Sequence, residues 1–184
     1  READTDEIRL QCNQELNEQF EKLLISPKKI ISIFTQNKYS SDGSLSAREE
    51  AKQRLKYFKH IIEECDGYKN LYVNGKKIAK ENDLQRLFRF VWYGTSYKID
   101  AEPNNGRGQA DFIISIGQDN QNIVEFKLAS NSALGHVFTQ VEIYEAANCA
   151  DGSLIAIFYF SESEYLNALQ VVKDAGYEKM IDDA

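Results

Sequence analysis

The sequence predicts a mixed α/β protein, and three observations carry that reading. Ile123-Val124-Glu125-Phe126-Lys127-Leu128 alternates as a strand does, with one face fully apolar. Ser153 to Phe160 is an almost unbroken apolar run of strand length. Segments with helical periodicity flank both, so that from Glu81 onward the predicted order is α-β-β-β-α-β-α behind a helical first third.

Taken in order, residues 4–25 form an amphipathic helix, with Ile8, Cys12, Leu16, Phe20, Leu23 and Leu24 at helical spacing. Ser26-Pro27 ends it, and Ile30, Ile31, Ile33 and Phe34 mark a short second helix. Residues 39–44 are a loop. Ser46 and Glu49 form a capping-box pattern that opens a helix with Ala51, Leu55, Phe58, Ile62 and Cys65 on one face. Asn74-Gly75 between Leu71-Tyr72-Val73 and Lys76-Lys77-Ile78 predicts a small hairpin.

A helix over 81–93 then carries Leu84, Leu87, Phe88 and Val91 on one face. Strands follow at 96–102, 109–116 and 122–128. A helix at 134–148, a buried strand at 153–160 and a helix at 163–175 complete the order, the last closed by Gly176. The division is therefore a helical N-terminal region with a hairpin, residues 1–78, and an α/β core, residues 79–184.

Composition bounds the function classes. The 184 residues suffice for one substantial core, and 42% hydrophobic with 28% charged residues is ordinary for a globular protein. No apolar run approaches the roughly 20 residues of a membrane helix, and no signal peptide is visible. The chain opens on Arg1 rather than Met, as expected of a fragment, and Met180-Ile181-Asp182-Asp183 reads as the start of a further strand. Cys12, Cys65 and Cys149, with His60 and His136, supply none of the close pairs a zinc site needs. Buried free thiols in a reducing cytoplasm are the expectation. A net charge of −7 argues against strong autonomous nucleic-acid binding.

The chemistry concentrates on two strands. Alternation turns Asp111 away from Ala110, Phe112 and Ile114, and puts Glu125 and Lys127 together on one face of their strand. If the strands pair, Asp111, Glu125 and Lys127 converge. Ions in so apolar a setting cost several kcal/mol each when buried unpaired, so their presence calls for a reason. Two carboxylates with the Phe126 carbonyl between them offer hard oxygen ligands suited to Mg²⁺. Such an ion acidifies water and neutralises charge on a phosphate, and a neighbouring ammonium can assist. The bland alternative is a structural salt-bridge cluster.

Asp111-x13-Glu125-x-Lys127 on consecutive strands resembles the PD-(D/E)XK superfamily, the restriction-endonuclease-like nucleases, over residues 80–175. The αβββαβ order matches that family's core; Ala110 stands where the family name has Pro. The resemblance implies that Asp111 and Glu125 hold Mg²⁺, with Mn²⁺ able to substitute, while Lys127 assists the nucleophilic water. It also implies a helical Glu before the first core strand and a Gln on the helix after the E-x-K strand. Glu81 fits the first, since its helical phase lies beside the apolar sector and that of Asp83 does not. Gln140, four residues before Tyr144, fits the second, with Glu145 its rival.

Gly106-Arg107-Gly108 reads equally as a phosphate-cradling turn, with Arg107 on a backbone phosphate, or as a plain β-turn. The resemblance implies a metal-dependent endonuclease acting on DNA, in prokaryotic restriction or anti-phage defence by analogy alone. The N-terminal helices would then serve substrate recognition, a homodimer or a partner subunit. An RNA nuclease shares the site, and a catalytically silent binding module shares the fold.

Overall fold

The computed structural model describes residues 43, 45–103 and 109–181. The expected helices at 4–25 and 30–34, Cys12 and the turn bearing Arg107 lie outside these residues.

The first described helix, α1 (Ala47–Glu64), starts where the capping box predicts. Ser46 Oγ accepts the Glu49 N–H at 3.2 Å, and the Glu49 carboxylate accepts the Ser46 N–H at 3.0 Å. Two of the orphan donors of the first turn are thereby satisfied. Cys65, on the predicted apolar face, is half-buried rather than buried because it is the C-cap, past the last packed turn. The chain then turns back so closely that a Cβ on Gly67 would meet the Ile61 carbonyl oxygen at 2.5 Å.

The hairpin forms as expected from β1 (Tyr72–Val73) and β2 (Lys76–Lys77). Asn74 and Gly75 carry φ of 52° and 74°, the left-handed pair that a tight hairpin turn demands. Helix α2 (Glu81–Phe90) stops short of residue 93, because Val91, Trp92 and Tyr93 tighten into i→i−3 hydrogen bonds.

Strands β3 (Lys98–Ala101), β4 (Phe112–Ile116), β5 (Asn120–Leu128) and β6 (Gly152–Phe158) make a four-stranded sheet in sequential order. The β3/β4 and β4/β5 pairs are antiparallel and β5/β6 is parallel, so the sheet is mixed. A parallel neighbour needs a crossover, and α3 (Val137–Asn148) supplies it after a 3₁₀ turn at Leu134–His136. Helix α4 (Glu162–Asp174) follows, capped by Ser161. The described residues are therefore α/β, with a mixed sheet and flanking helices.

Alternation sorts the core into two layers. On one face Phe58 of α1 and Phe88 of α2 meet Phe112, Phe126 and Phe158; Phe88 and Phe126 are the closest, with ring centroids 4.9 Å apart. On the other, Ile113, Ile123 and Ile155 meet Val137, Val141 and Tyr144 of α3. Helix α1 and the hairpin, read from sequence as part of the N-terminal region, belong to the same compact unit as the sheet, Ser40–Ala184.

Three further expectations need correcting. Ala110 packs with Ile113, Ile123 and Tyr144, opposite Phe112 and Ile114, because the ladder begins only at Phe112. Strand β6 is half-buried along its length, because among the described residues it is an edge strand. Met180 closes a 3₁₀ turn, Glu178–Met180, rather than opening a strand.

Candidate active site

The site lies where β4 has ended and β5 runs on. Ladder pairing between them finishes at Phe112 and Val124, so Glu125, Phe126 and Lys127 extend past their antiparallel neighbour. Asp111 fills the notch. Its Oδ2 accepts the Phe126 N–H at 2.6 Å, and its own N–H donates to Glu125 Oε2 at 3.2 Å. A side chain thus takes over where the backbone ladder stops. In an extended strand one residue's N–H and C=O point to the same edge. The Phe126 carbonyl therefore opens on the side that Asp111 occupies.

Lys127 Nζ donates to Glu125 Oε1 at 3.0 Å and lies 3.8 Å from Glu81 Oε2. Glu81 comes from the first turn of α2. Its Oε1 accepts the Leu128 N–H at 3.1 Å and the Asn131 amide at 2.9 Å. The carboxylate thus ties α2 to β5 and does more than complement the helix dipole. Asp83 pairs with Arg86 at 3.0 Å on the outer face of α2, as its phase predicts.

Two side chains that the sequence reading did not assign complete the cluster. Gln85 is buried and donates from Nε2 to Asp111 Oδ1 at 2.7 Å. It follows Glu81 by one helical turn, so the i, i+4 relation was a usable signal. Asn131 had none, since its place depends on how the chain turns after β5.

Gln140 is half-buried on α3, one turn before Tyr144, and among the described residues it makes no hydrogen bond to the cluster. Glu145 is likewise half-buried. The Tyr144 phenol is held above its ordinary range by burial and then by the charge of Glu125. His60 and His136 are exposed, and Trp92 packs edge-on against Phe88 in the core.

The electrostatics follow from this crowding. Burial, reinforced by the charge of Glu125, pushes Asp111 up to about 7, against the pull of the Phe126 N–H and Lys127. Burial alone would lower Lys127, but Glu125 and Glu81 outweigh it and hold the ammonium above its ordinary range. The cluster therefore combines a carboxyl that titrates near neutrality with a lysine held above its ordinary range.

Among the described residues no group of three or more His, Cys, Asp or Glu side chains is arranged to hold a metal. The oxygen donors that could meet a hard cation here are fewer: Asp111, Glu125 and the Phe126 carbonyl.

A family model described as a domain of unknown function, DUF8371, matches residues 47–162. The chain belongs to the DUF8371 family. The DUF8371 match runs from the start of α1 to the first residue of α4, so it contains every member of the cluster. Comparison with curated proteins found no match, and comparison with solved structures found none either. Among the described residues no helix is long and apolar enough to cross a membrane.

Proposed function

We propose that this chain is a phosphodiester hydrolase of the PD-(D/E)XK type, on a restriction-endonuclease-like core, with Mg²⁺ or Mn²⁺ as cofactor and DNA as substrate. The observation that carries the reading is the joining of Asp111, Glu125 and Lys127 at the open end of β4, with Glu81 of α2 held against Lys127. The αβββαβ order, with its β5-α3-β6 crossover, supports it.

The residues suit a hard divalent ion. Asp111 and Glu125 offer carboxylate oxygens and Phe126 a carbonyl, while the Asp111 proton is one that a cation would displace. When bound, the ion neutralises charge on phosphoryl oxygens and acidifies water. The protein's own contribution is placement. Lys127, largely shielded from solvent, holds a positive charge that can meet a phosphoryl oxygen as charge builds there. Glu81 and Glu125 fix the direction of that ammonium. Gln85 and the Phe126 N–H fix both oxygens of Asp111.

The test is cleavage of plasmid DNA and of RNA with Mg²⁺ or Mn²⁺, comparing the wild type with Asp111→Ala and Lys127→Ala. Cleavage by the wild type alone supports the assignment, and the favoured polymer names the substrate. Cleavage that survives both substitutions rules the site out.

A further inference from the structure

The overall charge of −7 conceals a local reversal beside the cluster. From Gly67 to Lys80 the chain carries four lysines and no acid. This segment is the hairpin and its approaches, and it leads directly into Glu81. Lys76 and Lys80 are exposed and have no acidic partner among the described residues. Lys69 and Lys77 are engaged, with Asp66 and Glu164 respectively.

Aromatic side chains interleave with these cations. Tyr68 is 46% exposed and Tyr72 45%, so their ring surfaces are open to a ligand. Tyr72 stands edge-on to Phe160 at 5.9 Å, and Lys77 Nζ lies 5.3 Å from the centre of the same Phe160 ring. Tyr159, next in sequence to Phe160, is 48% exposed and packs against Tyr165 of α4.

The row leads to the catalytic cluster. Phe158, just before Tyr159 and Phe160, accepts the Ala129 N–H at 2.7 Å, which fixes the aromatic row beside the end of β5. Where the start of α2 meets the end of β5 opens a cavity of about 350 Å³, walled by Lys80, Asn82, Leu128, Ser130 and Asn131. Glu81 lines that cavity and belongs to the cluster as well.

We infer that the hairpin and the Tyr159–Phe160 segment form a binding track for single-stranded nucleic acid, which feeds an unpaired strand through the cavity to the catalytic cluster. The choice of ligand rests on the phosphodiesterase reading. Lys76 and Lys80 supply charge for the phosphate backbone. The exposed aromatic rings supply stacking surfaces that unpaired bases can use, whereas paired bases already stack on their neighbours. The cavity lies within the size range of small-ligand sites, room for a single flipped or unpaired nucleotide.

The experiment is fluorescence anisotropy with the full chain in EDTA, where binding is separated from cleavage. The probe is a labelled oligothymidylate of about 20 nucleotides, with a blunt duplex for comparison. Expected are tighter binding of the single strand than of the duplex and a roughly tenfold loss in Tyr72→Ala. Lys76→Ala with Lys80→Ala should weaken binding and shrink the salt dependence by about 1.4 in log–log slope. Lys76 and Lys80 are exposed, so that pair keeps the test valid even if Tyr72→Ala disturbs the hairpin.

Binding unchanged in all of these variants overturns the track. So does preference for duplex, or no binding by a chain whose hairpin instead mediates self-association in light scattering. Asp111-dependent cleavage with binding indifferent to the track residues sinks the track and leaves the phosphodiesterase reading. Track-dependent binding without cleavage in Mg²⁺ does the reverse.

Discussion

Asp111 accepts the backbone N–H of Phe126 at 2.6 Å, at the point where β4 no longer reaches β5. One carboxylate thus closes the ladder and presents its remaining oxygen to Gln85. Phe126 meanwhile sends its ring into the aromatic core. The middle residue of the Glu-x-Lys strand is thereby a core anchor that fixes the direction of both charged neighbours.

The charge on Asp111 costs stability that its function would require. With Asp111 raised to about 7 from an unfolded value of 3.8, the folded state binds the proton more tightly. Its stabilising contribution is complete below about pH 4 and is lost as pH rises to about 7. Asp111→Asn should therefore raise Tm at pH 8 by about 2–6 °C, from on the order of 1–2 kcal/mol, while abolishing cleavage. The gain over wild type should vanish near pH 4. Scanning calorimetry without divalent ions checks it, and a lower Tm at pH 8 would refute the sign.

Lys127 is expected to act on the phosphate and not as a ligand. Lys127→Met should lower the cleavage rate by about 10²-fold or more and leave divalent-ion affinity unchanged or stronger, since a competing positive charge is gone. Calorimetric titration with Mn²⁺ alongside single-turnover cleavage separates the two. Loss of ion binding would mean that Lys127 chiefly holds Glu125 in place.

Gln85→Leu removes the donor to Asp111 Oδ1, and Asn131→Ala removes one of the donors to Glu81. Each should weaken ion affinity or activity by about 10-fold or more, in keeping with the usual effect of groups that orient ligands. Circular dichroism should show an unchanged fold. Wild-type kinetics in both variants would show that the carboxylates keep their geometry unaided.

Phe126→Ala should cost about 3–5 kcal/mol, because the ring packs among Phe58, Phe88, Phe112 and Phe158. Urea denaturation measures it. A loss below about 1 kcal/mol would mean that the aromatic layer repacks without this ring.

Local chemistry made much of this legible in sequence. The capping box at Ser46 and Glu49 and the turn at Asn74-Gly75 each depend on a few adjacent residues, and both formed where expected. Alternation within β5 puts Glu125 and Lys127 together, whereas Asp111 lies just outside β4 and joins them through the Phe126 N–H where the ladder stops. Alternation does not hold past the end of the ladder. Ala110 lies on the face opposite to the expected one, because nothing local announces that β4 begins only at Phe112. Glu81 reached the cluster from its helical phase, but Asn131 depends on a long-range turn that no periodicity encodes. The track of lysines and aromatics was present as composition, yet only the return of Phe160 against Tyr72 assembles it.

Asp111 and Glu125 are proposed to hold a divalent cation together. Electron paramagnetic resonance of Mn²⁺ titrated into the full chain measures this without any assumption about substrate. Saturable binding is expected in the wild type, with binding lost in Asp111→Asn and in Glu125→Gln and competed away by Mg²⁺. Mn²⁺ that stays free in the presence of wild type, or binds both variants equally well, would contradict it.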